Sequence, residues 1–123
     1  NAAPSELLSL IGLRARDRIL QRNRALVAQN LALLEDFFAE FPHLFDWQRP
    51  DGGCVGFPAY LGPGDANSFC ETLVEESGVL LLPPRIYSSE LMETPDNRFR
   101  IGFGRSGMEE GLAAFRAFLN KNM

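Results

Sequence analysis

The chain has few of the residue types that carry most metal and nucleophilic chemistry. It has one histidine, His43, which we place in a surface turn, so neither a histidine-based metal site nor a Ser/His/Asp set can be assembled. Its two cysteines, Cys54 and Cys70, lack metal-ligand spacing. We expect both to be reduced thiols, with a disulfide as the alternative, and we predict no metal site.

Long apolar runs and an excess of positive charge are also missing. The apolar stretch 7–13 is too short to span a bilayer, and its positive charges follow the run instead of preceding it. The 12 basic and 16 acidic residues give a formal charge of -4, which argues against nucleic acid as the main partner. We expect a cytoplasmic protein that binds neither membranes nor nucleic acid.

The composition that is present suits one globular domain. The chain has 123 residues, 46% of them hydrophobic and ten of them phenylalanine, which is enough for a real core. The start, Asn1-Ala2, resembles the remnant of a cleaved expression tag. We therefore interpret residues 1–4 as tag remnant and linker, and residues 5–123 as a domain cut from a longer protein.

The first third of the chain predicts a long amphipathic helix over residues 5–41. This stretch has no proline, Gly12 is a position where the helix could bend, and Pro42 ends it. The apolar positions that recur at helical spacing are Leu20, Val27, Leu31, Leu34, Phe38 and Phe41.

The rest of the chain predicts strands alternating with two further helices. In order these are a hairpin (45–48 and 54–60), a helix (65–76), an apolar strand covered on both faces (79–82), a last strand (98–103) and a final helix (108–120). Asp65 and Ser106 are the predicted N-caps, and Gly78 closes the middle helix. The fold class is α+β, a small, mostly antiparallel sheet of about four strands packed against helices, with a long N-terminal helix.

The stretch 97–107 supports two functional interpretations. Gly102 to Gly107 spells GxGxxG, but a dinucleotide site also needs a second parallel strand and an acid about 20 positions further on. Only 16 residues follow Gly107, and they hold one helix. The alternative is a strand that buries Phe99, Ile101 and Phe103 and turns Arg98, Arg100 and Gly102 to the other face.

Two further patterns have structural and functional interpretations. Five arginines lie within residues 14–24, with Arg14, Arg18 and Arg22 at i+4 spacing, which predicts either a phosphate-binding face or a solvated one. The run Asp51-Gly52-Gly53 predicts a hairpin turn whose backbone could also line a site.

Three stretches, in this order and spacing, resemble the C-terminal small domain of fold-type-I pyridoxal-phosphate (PLP) enzymes, specifically class I/II aminotransferases. They are 23–38, which is similar to the helix linking the family's two domains, the glycine hairpin 50–57, and the strand pair 78–83 and 99–103. The resemblance covers about residues 20–119. One departure is Pro83-Pro84, where the family commonly has Pro-Gly, which stiffens the entry to the loop carrying Tyr87.

The resemblance implies a substrate-binding role for Arg100. In that family the arginine at this position of the last strand grips the α-carboxylate of the amino-acid substrate, and a planar guanidinium suits a carboxylate. The alternative is a surface arginine paired with Asp96 or a nearby acid. We predict no catalytic or cofactor-binding residue here.

The resemblance further implies a parent enzyme that transfers an amino group between an amino acid and a 2-oxo acid. Such an enzyme holds PLP through a lysine Schiff base, yet the one lysine here is Lys121, in the C-terminal tail. We therefore expect this chain alone to be inactive, the large PLP domain to belong to the same parent chain, and the parent to be a homodimer. The competing hypothesis is a stand-alone interaction module that docks through Leu20, Val27, Leu31 and Leu34.

Overall fold

The computed structural model describes residues 2–123, so Asn1, part of the predicted tag remnant, lies outside them. The elements, in chain order, are α1 (Ala3–Arg14), α2 (Arg16–Glu40), β1 (Phe45–Asp46), β2 (Val55–Gly56), β3 (Ala59–Tyr60), α3 (Ala66–Ser77), a 3-10 turn (Pro84–Tyr87), β4 (Ile101–Gly102) and α4 (Met108–Asn122). All strand pairs are antiparallel. The α+β prediction with a long N-terminal helical segment is confirmed.

The predicted first helix is divided into two, and it begins at Ala3 instead of residue 5. The division falls at Ala15, whose ψ of 5° turns the helix axis, and Gly12 stays inside α1. Ala15 is hydrogen-bonded to both helices, because its N–H donates to the Ile11 carbonyl at 3.0 Å and its carbonyl accepts from the Ile19 N–H at 3.1 Å. As predicted, the helix ends at Pro42: the last residue of α2 is Glu40, and its C-cap Phe41, directly before the proline, has left the helical conformation.

The predicted hairpin is confirmed for part of its second strand. The strand β1 pairs antiparallel with β3, which lies inside the predicted returning strand 54–60, whereas β2, the first part of that stretch, pairs with β4. The second predicted strand is interrupted at Phe57 and Pro58, since proline has no N–H to donate to a ladder. Glycine is required at position 56 of β2, because a Cβ there would lie 2.7 Å from the Trp47 ring.

Two further predictions need correction. The stretch 79–82 is not covered on both faces, since Leu80 is 69% exposed, and it contributes only a single bridge between Leu82 and Arg100. Gly107, not Ser106, is the N-cap of α4, because the chain enters this helix with a φ of 89° that glycine adopts without strain. The predicted cap Asp65 is confirmed, accepting hydrogen bonds from the N–H groups of residues 67 and 68 at 2.9 and 3.1 Å.

Phenylalanine rings from the helices and strands meet in one core. Phe37 of α2 and Phe115 of α4 have ring centroids 4.8 Å apart, and both side chains are fully buried. Phe45 of β1 contacts Phe99 edge to face at 5.9 Å, and Phe69 of α3 lies 6.0 Å from the same ring. This core fixes Phe99 and thereby the segment that carries Arg100.

The inner face of α2 belongs to this core. Leu31 and Leu34 are 7% and 0% exposed, and Val27 packs partly buried against the same cluster. Of the four residues assigned to partner docking, only Leu20 is exposed, at 46%. The interaction-module hypothesis is therefore wrong for this face, because the chain's own core already covers it.

Candidate functional site

Arg100 has its backbone fixed by hydrogen bonds to a neighbouring segment. Its N–H donates to the Leu82 carbonyl at 2.8 Å, and Leu82 N–H donates back to the Arg100 carbonyl at 3.1 Å. Phe99 and Ile101 on either side are buried, at 0% and 7% exposure, so strand alternation turns the Arg100 side chain to the opposite face. The two-faced strand pattern predicted from the sequence is present.

The guanidinium of Arg100 is half-buried and has no acidic partner. Among residues 2–123 it forms no salt bridge, to Asp96 or to any other carboxylate. Its side-chain hydrogen bond is from Nη1 to the Tyr87 hydroxyl, at 3.3 Å. The ion-pair alternative for Arg100 therefore finds no partner in the described part of the chain.

Arg98 lies on the same face and shows what a structural arginine looks like here. Its Nη1 donates to the Phe57 carbonyl at 2.7 Å, and its Nη2 lies 3.7 Å from the Asp46 carboxylate. These contacts tie the last strand to β1 and to the segment before β3. Of the two neighbouring arginines, only Arg100 is free to take a carboxylate from outside the described residues.

Tyr87 is held beside Arg100 by an anchored turn. Pro83 and Pro84 are buried and lead into the 3-10 turn, where Arg85 forms an ion pair with Glu71 of α3. Sequence reasoning assigned no role to residues 85–89 because the second proline departs from the family pattern. The second proline instead begins the turn that carries Tyr87.

The aromatic surroundings of Tyr87 come from Phe57. The two rings meet edge to face, with centroids 5.7 Å apart and an interplanar angle of 85°. Phe57 is 47% exposed, so an aromatic wall and a guanidinium share one open face. The sequence pattern did not place Phe57 on this face, because it treated residues 54–60 as one strand, whereas Phe57 lies at the break between β2 and β3.

Two glycines of the GxGxxG stretch have structural roles. Gly107 enters α4 with a positive φ, and a Cβ on Gly104 would lie 3.0 Å from the Cβ of Cys54, whereas a Cβ on Gly102 would meet nothing within 4 Å. The buried Asn30 donates from Nδ2 to the carbonyls of Phe103 and Arg105, at 2.9 and 2.7 Å. No strand follows α4 within residues 2–123, so the βαβ unit that a dinucleotide site needs is not formed there.

Asn30 was not identified from the sequence, although a signal was available. It lies three residues after Val27 and four before Leu34, which makes it a polar residue on the apolar face of α2. Such a residue needs a buried partner, and its partners are two backbone carbonyls that no local pattern indicates.

The other sequence candidates do not converge on Arg100. The five arginines of 14–24 are all exposed, and the division at Ala15 separates Arg14 from Arg18 and Arg22, which favours the solvated-face interpretation. His43 is exposed in the turn after α2.

A cavity of about 670 Å³ lies away from Arg100, between α2 and the loop 49–54. Arg24, Arg49 and Asp51 line it together with apolar residues of α2. The turn at residues 51–53 also lines this cavity, which agrees with the prediction that its backbone could line a site. We nevertheless take Arg100 as the candidate site, because Arg49 of the cavity is already paired with Glu35, whereas Arg100 has no acidic partner among residues 2–123.

The residues of this chain do not fit a PLP anchor. Lys121 is exposed in the last turn of α4, where its Nζ lies 3.2 Å from a Glu76 carboxylate oxygen. Cys54 and Cys70 are free thiols, and burial raises the pKa of the Cys70 thiol to about 12. Within residues 2–123 there is no cluster of three metal-ligating side chains, and no helix has the length and apolarity to cross a membrane.

Comparison with known proteins gives one curated relative and several solved structures. Capreomycidine synthase of Streptomyces vinaceus is 37% identical over 71 residues, which are 56% of this chain. A PLP-dependent aminotransferase of Streptococcus suis superposes with a TM-score of 0.82 at 28% identity over 97% of this chain. The PLP-dependent cyclase OrfR superposes over 100% of it, with a TM-score of 0.83 at 25% identity.

The chain has the fold of one part of a PLP-dependent aminotransferase. The predicted resemblance is thereby confirmed. The present chain spans 17% of the length of capreomycidine synthase, 30% of the Streptococcus suis enzyme and 33% of OrfR. No family model matches it.

Proposed function

We propose that this chain is the substrate-carboxylate-binding small domain of a PLP-dependent enzyme that transfers an amino group between an amino acid and a 2-oxo acid. The observation that carries the proposal is the half-buried Arg100 guanidinium, which has no acidic partner among residues 2–123. A buried or half-buried charge is costly without a counter-charge, and a substrate carboxylate supplies one.

The role of this chain's own residues is to bind and orient. A guanidinium holds a carboxylate through two parallel hydrogen bonds, which fixes the plane of the substrate relative to the rest of the site. The packed rings of Phe57 and Tyr87 lie on the Tyr87 side of that contact. We derive no cofactor step, because Lys121 does not fit a Schiff-base role and the anchoring lysine has to come from the large domain.

The exposed apolar helix α1 supports a larger parent protein. It has no buried residue, and its exposed apolar residues are Leu7, Leu8, Leu10, Ile11 and Leu13. An apolar surface of this kind marks an interaction site. We infer that the large domain or the second subunit of a homodimer covers it, and that the parent is cytoplasmic.

A second candidate function is a ring-closing reaction in the same site. It is favoured by the name of one solved relative, the PLP-dependent cyclase OrfR. Both candidates use Arg100 in the same way. Product analysis after incubation with amino acids, with and without a 2-oxo acid, separates them, because only transfer requires the oxo acid.

The test of the shared proposal is Arg100→Lys in the full-length protein. Lysine keeps the charge but loses the planar pair of donors, so KM for the amino acid should rise about tenfold or more and kcat should fall. Absorbance of bound PLP should not change. The matched control is Arg98→Lys, which should leave KM unaffected, and an unchanged KM in Arg100→Lys would contradict the proposal.

A further inference from the structure

The contact between Arg100 and Tyr87 leaves one hydrogen-bond donor unused. A guanidinium has only donors, so in this contact Nη1 donates and the Tyr87 oxygen accepts. The hydroxyl hydrogen of Tyr87 is therefore left over for a further acceptor, and the hydroxyl donates no hydrogen bond to residues 2–123. At 3.3 Å the existing bond is long, so a carboxylate would compete well for the guanidinium.

The Tyr87 hydroxyl is held in place before any ligand arrives. The 3-10 turn is tied to α3 twice, by the ion pair of Arg85 with Glu71 and by Arg85 N–H donating to Asn67 Oδ1 at 3.2 Å. The ring of Tyr87 also packs edge to face on Phe57. A donor fixed in this way loses little conformational entropy on binding.

We propose that Tyr87 is a substrate-binding residue that donates a third hydrogen bond to the carboxylate held by Arg100. The inference rests on the proposed function and extends it from one residue to a two-residue subsite. The ligand it takes is an α-amino carboxylate, with two oxygens facing the guanidinium and one of them also accepting from the Tyr87 hydroxyl.

The test uses Tyr87→Phe in the full-length protein with PLP bound. The twenty common L-amino acids are titrated against the wild-type protein, and the one bound most tightly is used with the amine that lacks its carboxylate. Removing the hydroxyl should weaken binding of the amino acid about tenfold. Binding of the amine should not change, because it offers no carboxylate oxygen to the hydroxyl.

The matched control is Tyr60→Phe, which removes the hydroxyl that donates to the Pro63 carbonyl at 3.0 Å. It should affect the amino acid and the amine equally. If Arg100→Lys weakens amino-acid binding and Tyr87→Phe does not, the role of Tyr87 is wrong while the proposed function stands. If Arg100→Lys has no effect, or if no amino acid binds saturably, both are wrong.

Discussion

At the residue scale, two arginines of one strand face differ in what they contact. Arg98 donates a hydrogen bond to the Phe57 carbonyl and lies near the Asp46 carboxylate. Among residues 2–123, the Arg100 side chain donates only to the Tyr87 hydroxyl. Sequence pattern alone gave both the same face and could not separate them, because the partners lie 41 and 13 residues away. The resemblance selected Arg100, and the contacts explain why that choice is physically reasonable.

Asn30 holds the segment after Arg100 in place, so replacing it should lower the stability of the fold. In Asn30→Leu the carbonyls of Phe103 and Arg105 lose their shared donor, which should lower the free energy of unfolding by about 2 kcal/mol. Asn30→Asp should be worse, since a carboxylate cannot donate to two carbonyls. Urea unfolding of this chain measures both.

The control for Asn30 is Asn23→Leu on the exposed side of the same helix. Asn23 accepts a hydrogen bond only from its exposed neighbour Arg22, so its loss should leave the unfolding midpoint nearly unchanged. Equal midpoints for Asn30→Leu and Asn23→Leu would show that the buried bonds contribute nothing.

At the element scale, the helices and the hairpin pairing of β1 with β3 were predictable, and the long-range pairing of β2 with β4 was not. The bounds of α3 follow from its caps, Asp65 and the glycine at 78, which are local signals. Apolar spacing located α4, although its N-cap is Gly107 and not the predicted Ser106. The partner of β2 is β4, about 46 residues later in the chain. Pro58 separates β2 from β3, but the sequence around it does not indicate that the two strands pair with different partners. The position of Phe57 beside Tyr87 depends on the same long-range pairing.

The contact between α2 and α4 should depend on pH. Arg116 donates from Nε and Nη2 to Glu40 at 2.7 Å each, and this hydrogen bonding holds the pKa of Glu40 below its ordinary value of 4.5. A lowered folded-state pKa stabilises the fold above the unfolded value, and the contribution is lost as the pH falls through the folded value. Because the pair is exposed, the effect should be small.

The variant Glu40→Gln should therefore lower the urea midpoint at neutral pH, with the difference from wild type vanishing in acid. The control is Glu75→Gln, an exposed position of α3. A difference for Glu40→Gln that persists at the acid end would mean that packing, including the stacking of Arg116 on Phe37 at 5.5 Å, is responsible.

At the scale of the whole molecule, we propose that the domain contributes one part of a site that the parent protein completes. Its core is complete, with Phe37, Phe99 and Phe115 fully buried, yet α1 buries nothing and Arg100 faces outward. The chain therefore supplies its own core, whereas the charge of Arg100 has no counter-charge and the apolar surface of α1 has no packing partner among residues 2–123. Sequence composition could indicate the core but not these two unsatisfied features, because both depend on which face each element presents.

The chain alone is expected to be inactive toward amino acids. Its one lysine, Lys121, is exposed and paired with Glu76, so mixing the chain with PLP should give no stoichiometric imine absorption band. A band that borohydride reduces onto one residue would contradict this expectation. Lys121→Arg is the control, since it would abolish such a band if Lys121 were the site.

The most direct measurement of the central claim is a crystal structure of the full-length protein with PLP and an unreactive amino-acid analogue. The account predicts that the analogue's carboxylate accepts two hydrogen bonds from the Arg100 guanidinium at about 2.7–2.9 Å, with the Tyr87 hydroxyl donating a third. A carboxylate bound elsewhere, with Arg100 paired to an acidic residue of the large domain, would contradict it.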